Sequence, residues 1–154
     1  MKHDRDMVGA FPVSAMDRLP LGEAMAVRCL RAWGEGPVAM ETLLLPALGP
    51  RGARSCARAF DEMMGMVQRH GRRELMRHGA DCRCVGSDEA ILAHFVMVAA
   101  TGEREDAMLI ASLLVEGPLL MPLSEAARMA GLHLYRAGLR RGRGFAEPAS
   151  ATRH

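Results

Sequence analysis

Apolar residues recur at three- and four-residue spacings through most of this chain, and the breaks between them fall at glycine and proline. Leu21–Trp33 reads as a first helix, stopped by Gly34-Glu35-Gly36-Pro37; Pro37 suits the first turn of a second helix that ends near Pro46–Leu48. After Gly49-Pro50 comes the clearest stripe: Cys56, Ala57, Phe60, Met63, Met64 and Val67 on one face, with Arg54, Arg58, Asp61, Glu62 and Arg69 elsewhere. His70-Gly71 has the form of a helix end, and a short helix over 72–78 ends the same way at Gly79. Residues 80–86 read as a loop. Ser87, followed by Asp88 and Glu89, reads as the N-cap of a helix running to about Thr101. Glu103 begins another helix that stops at Gly117-Pro118. A last helix lies within 122–130, with Gly131 as its stop.

No run alternates with a period of two, so no sheet is expected. The fold class predicted is all-α: a single irregular bundle of six or seven short helices. Its boundaries are a loose N-terminal arm (1–20), a helical domain (21–139) and a disordered basic tail (140–154).

Composition sharpens the picture. Thirteen Met with only four Phe, one Trp and one Tyr make a core of helix formers. A net charge of +2 is too small to imply a polyanion partner for the whole domain. No apolar run is long enough to span a membrane and the N-terminus has no secretory core, so a cytoplasmic protein with reduced thiols is expected. No Walker motif, Gly-x-Ser-x-Gly or dinucleotide loop is present, and the carboxylates at 88–89 and 103–106 read as acids that complement helix dipoles.

The chemistry gathers in one place. His78, Cys82 and Cys84 put three soft-metal ligands within seven residues. A structural zinc needs a fourth, and Cys56, His70, His94 and Cys29 are the candidates. Cys56 and His70 lie roughly 21 Å apart along one helix, so they cannot share an ion. If the chain reverses at Gly71, the short helix brings the loop back toward Cys56. The expected metal set is therefore Cys56, His78, Cys82 and Cys84, a zinc staple in a non-enzymatic regulatory or adaptor protein that works with a protein partner or as a homo-oligomer. The competing reading is a thiol redox sensor at Cys82 and Cys84.

A third reading comes from the C-terminal part. Leu123-Ser-Glu-Ala-Ala-Arg-Met-Ala-Gly-Leu132 resembles the first helix and turn of helix-turn-helix regulators, and Leu134-Tyr-Arg136 echoes a recognition helix. That resemblance implies DNA binding through residues 123–140, with Arg136, Arg140, Arg141 and Arg143 as phosphate contacts. It departs from the pattern at His133, where a capping Ser or Thr is usual, and at Gly138. Separately, Cys82-Arg-Cys-Val-Gly-Ser-Asp-Glu-Ala, continuing to Gly102-Glu-Arg-Glu-Asp-Ala-Met-Leu-Ile-Ala111, resembles small uncharacterised helical proteins of alphaproteobacteria. This likeness implies no activity.

Overall fold

A computed structural model describes the backbone of residues 8–146 and the side chains of residues 8–140. The element order is β1 (Pro12–Ala15), a 3-10 turn (Met16–Arg18), α1 (Leu21–Trp33), α2 (Pro37–His70), β2 (Cys84–Gly86), α3 (Ser87–Thr101), α4 (Arg104–Leu114), a second 3-10 turn (Gly117–Leu119) and α5 (Leu120–Ala146). The fold is mostly helical, as expected. Among the described residues, however, five helices replace the six or seven predicted, and a two-stranded antiparallel sheet is present.

Each difference has a physical cause. The second and third predicted helices run into one another as α2, bent at Gly49. Gly49 takes φ 70°, ψ 176°, a left-handed conformation natural to glycine. Pro50 has no N–H to donate, so the helical ladder is interrupted there at little further cost. The helix predicted over 72–78 does not form. Beyond Gly71 the chain bends and continues without regular structure past the end of α4: Arg72 N–H donates to the Leu114 carbonyl at 2.9 Å and Arg72 Nε to the Ser112 carbonyl at 2.8 Å. Further along, side chains from the start of α3 take over the backbone donors that a helix would have used internally. Met76 N–H donates to Asp88 Oδ2 at 2.8 Å, and His78 N–H to Glu89 Oε1 at 3.0 Å.

The described part of the predicted N-terminal arm, residues 8–20, is likewise structured. Pro12 pairs with Gly86, Ser14 with Val85 and Ala15 with Cys84, with an irregularity between Pro12 and Ser14. Gly86, not Ser87, caps α3. Ser87 is its first residue, and its hydroxyl donates to the carbonyls of Val8 (2.8 Å) and Gly9 (3.1 Å).

The C-terminal helix is the largest revision. Gly131 does not stop it: α5 continues to Ala146, well past the predicted end at 130 and into the predicted disordered tail. It packs against α1, α2 and α3, burying Leu123, Ala126, Ala127, Ala130, Leu134 and Ala137 along one stripe. Small residues on that stripe let the helices approach closely. A Cβ on Gly131 would lie 2.4 Å from the Val96 carbonyl oxygen and 2.8 Å from Ala100 Cβ, both on α3. The glycine that reads as punctuation is therefore a packing residue. Gly131→Ala, although it favours helix locally, is expected to destabilise the protein by about 1–3 kcal/mol through overpacking, measured by urea denaturation.

Candidate functional site

The loop that carries the two neighbouring cysteines is held by a buried ion pair. Arg31, on α1, sits in the middle of the run Val27–Trp33 and is 4% exposed; Glu89, in the first turn of α3, is fully buried. Their contact is bidentate: Arg31 Nε to Glu89 Oε1 at 2.8 Å and Nη2 to Oε2 at 3.0 Å. Both groups also bond the loop. Arg31 Nη1 donates to the Cys82 carbonyl at 2.6 Å and Nη2 to the Cys84 carbonyl at 2.7 Å. Glu89 accepts the backbone N–H groups of His78 and Gly86, each at 3.0 Å. Burial by itself would raise the Glu89 pKa. The hydrogen bonds from Arg31, Gly86 and His78, with the guanidinium charge, outweigh it and hold the carboxyl below the usual range. A second pair, Arg73 with the buried Asp88, ties down the preceding stretch.

On this support the loop presents one reactive pair. His78 Nδ1 lies 3.3 Å from Cys82 Sγ, and His78 Nε2 lies 2.8 Å from the Ala10 carbonyl oxygen. A carbonyl can only accept, so Nε2 carries the hydrogen, and Nδ1 of the neutral ring turns its lone pair toward the thiol. The Cys82 thiol pKa is lowered, first by the hydrogen bond with His78 and then by the backbone N–H of Cys84. The His78 pKa is raised, first by the same bond to Cys82 and then by the Ala10 carbonyl, against the opposing effect of burial. Both shifts favour a thiolate beside an imidazolium. Cys82 is part-buried, and Cys84, two residues on, is exposed.

The four residues of the predicted metal set are not brought together. Cys56 is fully buried on α2, with its sulfur 3.9 Å from the Ala130 carbonyl of α5 and its thiol pushed up to about 12 by burial. Its neighbour is Cys29, whose own pKa is raised well above the ordinary value by burial and by Cys56. These two are core thiols with no access to solvent. The expected route from the loop back to Cys56 is the helix over 72–78, and that stretch is not helical. The other candidates lie elsewhere: His70 is exposed in the last turn of α2, and His94 is exposed on α3, 3.3 Å from Glu23 Oε1. Among the described residues, no three His, Cys, Asp or Glu side chains are grouped as metal ligands would be.

The helix-turn-helix geometry is also not formed. The residues that should make its turn and second helix lie inside the uninterrupted α5, and Leu134 is fully buried. Arg136 and Arg140 are exposed, Arg140 Nη1 donating to the Ala47 carbonyl at 2.9 Å. The side chains of Arg141 and Arg143 lie outside the described residues.

Sequence reasoning gave no role to Arg31 and read Asp88 and Glu89 as acids complementing a helix dipole. The available signal was that Arg31 follows Val27 and Leu30 on the apolar side of the predicted first helix, where a solvated cation would not be placed. A cation placed there needs a buried anion.

Comparison with protein-family models, curated proteins and solved structures gave no match.

Proposed function

We propose that the chain is a small regulatory protein, not an enzyme, whose working element is a redox-active dithiol: Cys82 the attacking thiolate, His78 its base and Cys84 the resolving thiol. The observation that carries this reading is the 3.3 Å contact between His78 Nδ1 and Cys82 Sγ, with the ring oriented from its far side by the Ala10 carbonyl. A nucleophile, a base and a group that orients the base are the parts an activated thiol needs. The buried guanidinium of Arg31, bonded to the carbonyls of Cys82 and Cys84, places positive charge beneath the loop.

The chemistry is a two-electron oxidation by a peroxide. Cys82 gives its proton to His78, and the thiolate attacks one peroxide oxygen. The O–O bond breaks, leaving a sulfenic acid on Cys82 and releasing water or an alcohol. The Cys84 sulfur then displaces the hydroxyl as water, and the S–S bond forms. Two thiols lose two hydrogens and the peroxide is reduced.

Alkylation of the reduced protein with iodoacetamide, followed by peptide mass analysis across a pH series, tests the reading. Cys82 is expected to react first and to keep reacting below the pH at which an ordinary thiol stops. His78→Asn is expected to slow it several-fold at neutral pH, while Cys29 and Cys56 stay unmodified in the folded protein. Equal rates at Cys82 with and without His78 would refute the role given to the imidazole. Elemental analysis of the same material decides against the alternative: stoichiometric zinc that protects Cys82 and Cys84 from alkylation would replace the redox reading with the structural-metal one.

A further inference from the structure

The end of α3, the start of α4 and one face of α5 surround a cavity of about 220 Å³. None of its lining residues belongs to the dithiol loop. On α5 they are Met121, Ser124, Glu125 and Arg128, spaced i, i+3, i+4 and i+7, so a single face of that helix is turned toward the cavity. Arg104 and Ala107, one turn apart on α4, line it as well. Ala107 and Ser124 are buried and form its floor, while Arg104, Met121, Glu125 and Arg128 are exposed and form its rim.

The polar groups here are not all used within the chain. Ser124 is 7% exposed, and its hydroxyl is the buried side-chain group without a hydrogen-bond partner among the described residues. Buried polar groups in folded proteins are rarely left so. A hydroxyl on a helix can bond back to the carbonyl one turn earlier, as Thr101 does to Met97 at 2.8 Å; Ser124 does not. The start of α4 is also open. Glu103 makes no side-chain cap bond, and the ladder begins with Ala107 N–H on the Glu103 carbonyl at 3.1 Å. The N–H groups of Arg104, Glu105 and Asp106 precede that ladder and give this end of the helix partial positive charge. At the rim, Glu125 is held bidentately by Arg128, at 2.6 and 3.1 Å. That bond lowers the Glu125 pKa most, and the charge of the exposed Arg104 lowers it further.

These features select a ligand by charge, shape and size. The charged lining residues are two arginines and one glutamate, a surplus of one positive charge. Glu103, Glu105 and Asp106 stand in the same turn of α4 without lining the cavity, and they oppose a second negative charge. Ala99, Ala107 and Met121 supply apolar wall. An apolar cavity of about 150 Å³ holds a benzene ring, so this one has room for such a ring with a carboxylate attached. We propose that the cavity binds a small monocarboxylate with a ring-sized apolar body. Its carboxylate accepts from the Ser124 hydroxyl and the Arg104 guanidinium, and its body lies against Ala99, Ala107 and Met121.

Titration of the nitrogen-15-labelled full chain with sodium benzoate at neutral pH, followed by NMR, tests the site. Saturable shifts are expected at residues 99–107 and 121–128. Benzamide, of the same shape without the charge, is expected to bind about tenfold more weakly. Arg104→Gln and Ser124→Ala are each expected to weaken benzoate by a similar factor, with the rest of the spectrum unchanged. Inorganic phosphate is expected to give no saturable shift there. Absence of saturable benzoate shifts at those residues would overturn the site. Equal binding of benzamide, or unchanged affinity in Arg104→Gln, would overturn the selection for an anion. Unchanged affinity in Ser124→Ala would overturn the part given to the hydroxyl. Phosphate binding as tightly as benzoate would overturn the need for an apolar body.

Discussion

Arg31→Met is expected to destabilise the protein by about 3–5 kcal/mol in denaturant unfolding, more than any surface substitution could. The substitution keeps much of the side-chain volume and removes the charge. It leaves the Glu89 carboxylate fully buried without its cation, and it strips the donors from the carbonyls of Cys82 and Cys84. Breaking one side of a buried pair costs more than the pair is worth, because the surviving charge cannot be rehydrated.

The pH dependence separates this mechanism from simple loss of packing. In the native protein the Glu89 pKa is held below its ordinary value, so the unfolded chain takes up the proton first. Its contribution to stability is therefore complete above the usual glutamate range, roughly pH 4–5, and is lost as pH falls through and below it. Without Arg31, burial is opposed only by the two backbone donors, and the pKa is expected to rise above the unfolded value. Stability of the variant should then improve on acidification from neutral pH, where that of the native protein does not. A parallel pH response in the two proteins would refute the account. The double change Arg31→Met with Glu89→Leu should recover only part of the loss, because Glu89 also satisfies the N–H groups of His78 and Gly86.

Leu134→Ala is expected to cost about 2–5 kcal/mol, and Arg136→Ala to change stability by less than about 0.5 kcal/mol. Leu134 is fully buried on α5, among the residues facing the other helices, while Arg136 is exposed. The helix-turn-helix resemblance instead sets Leu134 at the head of a recognition helix, where its loss would be mild and that of Arg136 would weaken DNA retention. Thermal and urea unfolding of the two variants distinguishes these arrangements. Near-neutral Leu134→Ala would mean that α5 does not pack as one continuous element.

The two cases show where a sequence misleads and why. Gly131 looks like the end of a helix because glycine commonly sits just past one. Nothing local says that the Val96 carbonyl of α3 approaches within 2.4 Å of where its Cβ would be, so that glycine is needed inside the helix. Residues 72–78 look helical for the opposite reason: their local preference is real, but Asp88 and Glu89, more than ten residues away, take their backbone hydrogen bonds. Cys56 was assigned to the metal by following that helix back along the chain. Without that helix, the assignment loses its geometry.

The sequence by itself determined the helical class, α1, the apolar stripe of α2 and an interruption at Gly49-Pro50, because periodicity and backbone stereochemistry are local; that the two segments continue as one bent helix it did not. It also singled out His78, Cys82 and Cys84, because chemistry-bearing residue types are visible wherever they lie. Tertiary structure decided how those residues are used. It set Cys56 apart in the core beside Cys29 and turned His78 toward Cys82 by way of Ala10. It also placed under the loop an Arg31–Glu89 pair whose partners are 58 residues apart. A buried charge finds its counter-ion through the packing of whole helices, and no periodicity in the chain records which counter-ion that will be.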